Sequence, residues 1–214
     1  MYSSQAQTRA NYDRLSRWYD LIAGSSERAF GMHGLALLDL RLGERVLEIG
    51  PGTGALLVEL ARRAGAAWGV DLSLGMCRVA QARLARARVS SSAAALCGDA
   101  ERLPFATGAF DAIFMSFTLE LFDNEVAAWV LAECGRVLAA NGRLGVIAME
   151  RRGRATLITR LYDWAGQRFP QWIDCHPIPL ADTLLGNGFR PSNVTQGAIG
   201  GLPMAIVIAQ KIGS

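Results

Sequence analysis

The sequence predicts an α/β domain: a mostly parallel sheet of seven strands with helices on both faces, closed by a C-terminal antiparallel hairpin. Three observations carry that class. Short apolar, β-branched runs alternate with stretches of helical periodicity through the middle of the chain. The first of those runs ends in a glycine-rich turn that opens directly into a helix. The last two runs are joined by GAIGG, whose glycines suit a hairpin.

The elements follow in order. Residues 5–22 read as an amphipathic helix and 30–40 as a second helical stretch. Arg45–Ile49 is a buried strand, because it is a short Val, Leu and Ile run ending at Gly50. Residues 54–64 carry apolar side chains at helical spacing, and Gly65 ends them. Strand 67–70 leaves Asp71 at its C-terminal end, and Ser73 caps a helix over 74–88. A third strand spans Ala93–Cys97, with the loop GDAERLPF after it. A fourth strand covers 110–115 and a helix 124–138; Asn141-Gly142 then turns the chain into a fifth strand at 143–149. A short helix at 180–185 stops at glycines 186 and 188, and strands 189–196 and 202–210 close the sheet.

The 214 residues suffice for one well-buried domain, and 51% hydrophobic against 19% charged residues describes a core-forming chain. A net charge of +3, with basic residues dispersed among acids, gives no nucleic-acid footprint. Cys77, Cys97, Cys134 and Cys175 are too widely spaced for a metal or redox motif, and Cys97 and Cys134 read as small buried hydrophobes. The N-terminus lacks the apolar stretch of a signal peptide, and runs such as LGVIAM are far shorter than a membrane span. A cytoplasmic protein is the expectation.

The chemistry begins at VLEIGPGTG, residues 46–54. Without Cβ atoms at Gly50, Gly52 and Gly54 the backbone can pass close to a ligand with its amides facing the crevice. Alone, this turn is ambiguous. Gly50-x-Gly52-x-x-Ala55 also fits a dinucleotide fingerprint, with Asp71 at the distance of a ribose acid. Glu48 places a carboxylate beside the turn, where S-adenosylmethionine (SAM) carries an ammonium group. Gly98-Asp99-Ala100 offers an acceptor for an adenine amine.

The ordered series EIGPGTG, GVDLS, GDAERLPF, FDAIFMSF and RVLAANGRLGVIAM resembles the motifs of class I SAM-dependent methyltransferases, over roughly residues 43–150. The opening YDRLSRWYD and the tail DCHPIPLADTLLGNGF are similar to the branch that holds quinone C-methyltransferases and phospholipid N-methyltransferases. The resemblance implies a Rossmann-like fold with SAM as cofactor. It places Glu48, Gly50, Gly52 and Gly54 at the methionine side and Asp71 on the ribose. Leu72 and Met76 would pack on adenine, and Asp99 and Ala100 would read its edge. Ser116, Phe117 and Thr118 would face the sulfonium, and Tyr12 and Tyr19 would cover the cofactor unless they are ordinary helix-packing aromatics.

One domain results: a helical cap at 1–42, a SAM-binding core at 43–150, a lid-like insertion at 151–179, and a sheet-closing helix and hairpin at 180–214. Candidates for a general base are His176, Glu120 and Tyr19, with His33 behind them; Cys175 is a candidate reactive thiol, though nothing near it in sequence argues a lowered pKa. His176 sits where relatives often carry Arg, and Glu120 where they often carry His; loop packing and helix capping are the bland alternatives. The basic, aromatic stretch 151–172 reads as a lid over an apolar pocket, a patch resting on anionic lipid, or a packing helix. The function expected is methyl transfer to a small hydrophobic acceptor: a quinone-like ring, a lipid head group or a thiol. The rivals are a nicotinamide-dependent oxidoreductase and a non-catalytic SAM-binding protein.

Overall fold

The structure is a computed structural model that describes residues 24–151 and 177–212. Seven strands among them form one sheet in the order β3-β2-β1-β4-β5-β7-β6. They are β1 (Arg45–Ile49), β2 (Ala66–Asp71), β3 (Ala93–Cys97), β4 (Phe110–Ser116), β5 (Leu138–Met149), β6 (Phe189–Ile199) and β7 (Leu202–Lys211). The helices are α1 (Gly24–Leu38), α2 (Ala55–Arg63), α3 (Leu74–Arg86), α4 (Asn124–Val137) and α5 (Leu180–Gly186), with a 3-10 turn at Leu119–Leu121. β1 through β5 pair in parallel, whereas β7 pairs antiparallel with both β5 and β6. This is the mostly parallel sheet with a terminal hairpin that the sequence predicts.

Strand alternation sends side chains to two cores. Leu47, Ile49, Ile113 and Met115 meet α4 and α5 on one face through Val130, Leu131, Cys134 and Leu184. Val46, Ala112 and Phe114 meet α1, α2 and α3 on the other through Leu35, Leu57, Leu60 and Leu84. Both faces are therefore covered, as a parallel sheet requires.

Register positions the site. Ile49 pairs with Val70 on one side and Met115 on the other, so Gly50, Asp71 and Ser116 emerge at one edge of the sheet. The chain leaves β1 for β2 on one side and returns to β4 on the other. Such a reversal opens a crevice at the strands' carboxyl ends.

Four local readings change. The second helix is not 30–40 but Gly24–Leu38, because Asp39 takes a positive φ of 51° and ends it. Asn141-Gly142 does not precede β5 but lies inside it: Leu138 pairs with Phe110 and Arg143 with Ala112, so the intervening residues are absorbed as a bulge-like register shift. The hairpin turn narrows to Gly200-Gly201, whose φ values of 58° and 84° suit a two-residue turn, while Gly197 stays in β6. Cys97 is exposed rather than buried, because β3 is an edge strand whose last two residues lie open. The stretches 5–22 and 152–172 lie outside the described residues.

Arg143 staples α1 to the sheet. Its guanidinium donates to both carboxylate oxygens of Glu44, at 2.9 and 2.8 Å, and to the carbonyls of Leu38 and Asp39. That anchors the C-terminal end of the helix whose first turn reaches the crevice.

Candidate functional site

The turn after β1 uses its glycines for three different purposes. Gly50, at φ 67°, donates its N–H to Val70 O at 2.9 Å, and a Cβ there would lie 2.5 Å from Thr118 Oγ1. Gly52, at φ 51°, has nothing within 4 Å of a would-be Cβ. Gly54, at φ 77°, is the N-cap of α2 and makes no side-chain cap. A Cβ on it would come within 2.8 Å of Ala80 Cβ, so it lets α2 pack on α3.

Asp71 joins the turn to the next loop. One carboxylate oxygen accepts Gly52 N–H at 3.1 Å and the other accepts Ser73 N–H at 2.9 Å. Ser73 caps α3 as the sequence predicts, its Oγ accepting Met76 N–H at 3.2 Å. Leu72 leaves an apolar side chain 42% exposed, and Met76 lies buried nearby on α3.

The loop after β3 is held from α4. Glu133 accepts Leu103 N–H at 2.8 Å, and Arg136 donates to Leu103 O at 3.0 Å and Phe105 O at 2.8 Å. Glu133 and Arg136 also pair with each other at 2.6 and 2.7 Å. Phe105 stacks edge-on against Phe110 with centroids 4.8 Å apart. At the loop's start, Asp99 accepts Glu101 N–H at 2.9 Å.

Past β4 the chain turns sharply. Phe117 adopts φ 54°, its N–H donating to Ile147 O at 2.9 Å, and Thr118 Oγ1 donates to Ser116 O at 3.1 Å. Glu120, in the 3-10 turn, is 1% exposed, and its Oε1 accepts Met149 N–H at 3.2 Å.

These segments enclose a cavity of about 970 Å³. Glu48, Gly50, Gly52, Asp71, Leu72, Met76, Asp99, Ala100, Ser116, Phe117 and Thr118 all line it. Gly54 does not, because its missing Cβ serves helix packing. Glu120 lies behind the wall rather than in it, and its burial excludes a solvated role. His33 is exposed on α1. Tyr12, Tyr19, Cys175 and His176 lie outside the described residues. Sequence reading missed Glu27 and Arg28 of α1, Thr53, and the run Leu121, Phe122, Asp123 and Val126, all in the wall. Thr53 and residues 121–123 adjoin motifs already recognised and were within reach of the sequence. Nothing in the spacing of α1 marks Glu27 or Arg28.

The electrostatics are unusual at two points. Glu48 is 2% exposed, and burial, with the charge of Asp71 adding to it, raises its carboxyl to about 8. Burial likewise raises Glu120 to about 7, Glu27 adding to the effect. Among the described residues, the buried side-chain oxygens lacking any hydrogen-bond partner are Glu48 Oε2 and Glu120 Oε2. A buried acceptor left unsatisfied is costly, so each marks a place for a donor.

Residues 46–142 match the family model described as a methyltransferase domain. The chain is 35% identical to the ubiquinone/menaquinone biosynthesis C-methyltransferase UbiE of Paraburkholderia phytofirmans, over 75% of this chain and 67% of that protein. It is 33% identical to the UbiE of Paraburkholderia phymatum, over 78% of this chain and 70% of that one. This chain belongs to the class I SAM-dependent methyltransferases. Solved structures agree on the fold. The [4+2]-cyclase SpnF aligns with a TM-score of 0.78 at 19% identity, covering 98% of this chain and 97% of that one. A 1,6-didemethyltoxoflavin N1-methyltransferase of Burkholderia thailandensis, solved with S-adenosylhomocysteine, aligns at 0.73 and 18% identity, covering 96% and 88%. A cyclase among them is a reminder that this fold hosts more than one chemistry. The activity rests on the sequence relatives, which decide for SAM over a nicotinamide cofactor.

The site suits that cofactor. The unpartnered Glu48 oxygen answers an ammonium group, and the open side of Gly52 leaves room for a ligand against the turn. SAM, when bound, supplies an electrophilic methyl group on a cationic sulfur.

Proposed function

We propose that this methyltransferase binds SAM between the glycine turn and the loops after β2, β3 and β4, and methylates a small hydrophobic acceptor of quinol-like ring structure. The observation that carries the reading is one cavity containing the buried, unpartnered Glu48, the ribose-type acid Asp71 and residues 116–118. Glu48 and the turn amides hold the methionine end. Asp71 takes the ribose hydroxyls. Leu72 and Met76 sandwich the adenine, and Asp99 and Ala100 read its edge.

Two features support the acceptor class. The sequence relatives are named for C-methylation in ubiquinone and menaquinone biosynthesis. The lining after β4 includes Phe117, Leu121, Phe122 and Val126, side chains that suit an apolar ring, beside Asp123. The chain's main task is alignment: fixing two reactants at attack distance lowers a barrier by roughly 7–11 kcal/mol. Apolar walls also exclude water, which strengthens interactions along the path of charge neutralisation.

The proposed organisation is a single domain, with 1–42 as cap, 43–150 as cofactor core, 151–179 as lid and 180–214 closing the sheet. Among the described residues, no helix is long and apolar enough to cross a membrane. We place the protein in the cytoplasm, with residues 151–172 supplying peripheral contact where a lipid-borne acceptor resides.

Calorimetric titration with S-adenosylhomocysteine, NADH serving as control, tests the cofactor. Micromolar binding of the former alone is expected; binding of NADH alone overturns the site. Transfer of label from SAM to membrane extract then tests turnover. No labelled product across broad extracts would reduce the chain to a SAM-binding protein.

A further inference from the structure

Two thiols meet at the corner where Asp71 and Leu72 leave the sheet. Cys77 is buried in the first turn of α3, and Cys97 ends the edge strand β3 with its side chain exposed. Ala93 and Ala95 pack on the same face of the sheet as Leu84 of α3, so strand alternation sends Cys97 to the face that α3 covers. The peptide groups on both sides of Cys97 are tied to the contacts of Cys77. The Cys77 thiol donates to Leu96 O at 3.3 Å and to Asp71 O at 3.5 Å, and Asp71 O also accepts Gly98 N–H at 3.0 Å. The Cys97 thiol donates to the next carbonyl, Leu72 O, at 3.6 Å.

We infer that Cys77 and Cys97 are a dithiol modification site: a hydroperoxide oxidises them to an intrachain disulfide, and the disulfide lowers the affinity of the cavity for its cofactor. The second half rests on the cofactor reading above; the first stands without it.

Three observations combine. Both thiols hold the backbone of Asp71 and Leu72, the residues assigned to ribose and adenine, and Met76 beside Cys77 lines the same cavity. A disulfide removes both S–H donors from those carbonyls. It also draws the two sulfurs to about 2.05 Å, so the first turn of α3 and the end of β3 close on the Asp71–Leu72 segment. Exposure orders the steps. Cys97 is open to solvent, whereas burial, then the charge of Asp71 and the neighbouring Cys97 thiol, push Cys77 up to about 12. Cys97 therefore meets the oxidant and Cys77 resolves it. Cys134, the other cysteine among the described residues, is buried under α4 on the opposite face of the sheet.

The chemistry balances in two steps. The Cys97 sulfur attacks the hydroperoxide, the O–O bond breaks, and the products are Cys97 sulfenic acid and an alcohol, or water when the oxidant is hydrogen peroxide. The Cys77 sulfur then displaces the sulfenic oxygen, which leaves as water with the Cys77 proton. Two electrons pass from the thiols to the peroxide.

The test treats the full chain with equimolar hydrogen peroxide. In the native protein the intact mass should fall by two hydrogens, and the peptide map should join Cys77 to Cys97. Calorimetry should show S-adenosylhomocysteine bound roughly tenfold or more weakly by the oxidised protein than by the reduced one, with recovery in dithiothreitol. By reciprocity, saturating S-adenosylhomocysteine should raise the reduction potential of the pair by about 30 mV or more, the two-electron equivalent of tenfold. Cys97→Ser should keep the affinity of the reduced native protein before and after peroxide. Cys77→Ser, which leaves Cys97 without its resolving thiol, should lose less than about threefold on treatment. Absence of the Cys77–Cys97 link, a link that leaves affinity unchanged, or a full loss in treated Cys77→Ser overturns this inference. Failure of the reduced native protein to bind S-adenosylhomocysteine overturns the cofactor reading instead, and the peptide map still decides whether the dithiol closes.

Discussion

Asp71 accepts the N–H of Gly52 at 3.1 Å while its other oxygen accepts that of Ser73 at 2.9 Å, so one carboxylate ties the glycine turn to the loop after β2. The residue expected to hold a ribose therefore also shapes the crevice around it.

Asp71→Ala should accordingly show two effects at once. Affinity for S-adenosylhomocysteine should fall ten- to a hundredfold, about 1.4–2.8 kcal/mol. The unfolding temperature should fall as well, because two backbone N–H groups lose their acceptors. Asp71→Asn, with one carbonyl oxygen, replaces at most one of them and should recover only part of either loss. Calorimetry beside thermal unfolding reads both. Unchanged affinity in a folded Asp71→Ala variant would remove Asp71 from the site.

The loop bearing Asp99 and Ala100 depends on α4 in the same indirect way. Arg136 donates to Leu103 O and Phe105 O, and Glu133 takes Leu103 N–H. Arg136→Ala abandons those carbonyls at roughly 0.5–1.5 kcal/mol for each lost bond. It should lower the unfolding temperature and weaken S-adenosylhomocysteine severalfold without touching the ligand. Loss of stability with wholly unchanged affinity would show that the loop keeps its shape without the clamp.

β1 through β4 were legible in the sequence because each is short, largely apolar and bounded by turn residues, and the chemistry lies at the carboxyl ends of the parallel strands. Two kinds of feature were hidden. Asn141-Gly142 carries a strong local turn signal, yet the pairing of Leu138 with Phe110 on the β4 side overrides it and draws the dipeptide into β5. Glu27 and Arg28 precede the first strand by more than a dozen residues, and only the packing of α1 shows that its first turn reaches the cavity. Gly54 illustrates another case: the motif marks it, but only the close approach of Ala80 shows that its missing Cβ makes room for helix packing.

Glu48 predicts a pH dependence of stability. Its carboxyl is raised to about 8 in the folded chain, by burial first and by Asp71 second, above an ordinary value of 4.5. The folded state thus binds a proton that the unfolded state has released, and stability falls as pH rises between those values. The contribution is full below about pH 4.5 and lost above about pH 8. Glu48→Gln stays neutral throughout, so measured without ligand its unfolding temperature should gain on the native protein as pH climbs from 5 to 8.5. Comparing the two cancels other titrating groups common to both. A constant gap over that range would mean that Glu48 is ionised in the folded protein.

Gly52 and Gly54 separate binding from packing most cleanly. Both have positive φ, 51° and 77°, so an alanine at either position bears a similar backbone penalty of about 1–2 kcal/mol. Their surroundings differ. A methyl at Gly54 would meet Ala80 Cβ at 2.8 Å and its backbone Cα at 3.0 Å, neither of which can move without shifting α3 against α2. A methyl at Gly52 meets no protein atom within 4 Å, on a residue that lines the cavity. Gly54→Ala should therefore lose the larger share of thermal stability. Gly52→Ala should fold with a modest loss and yet bind S-adenosylhomocysteine at least tenfold more weakly, because the added methyl occupies space the ligand needs. If Gly52→Ala binds as the native protein does, the cofactor does not lie against this turn, and the open face of Gly52 has another cause.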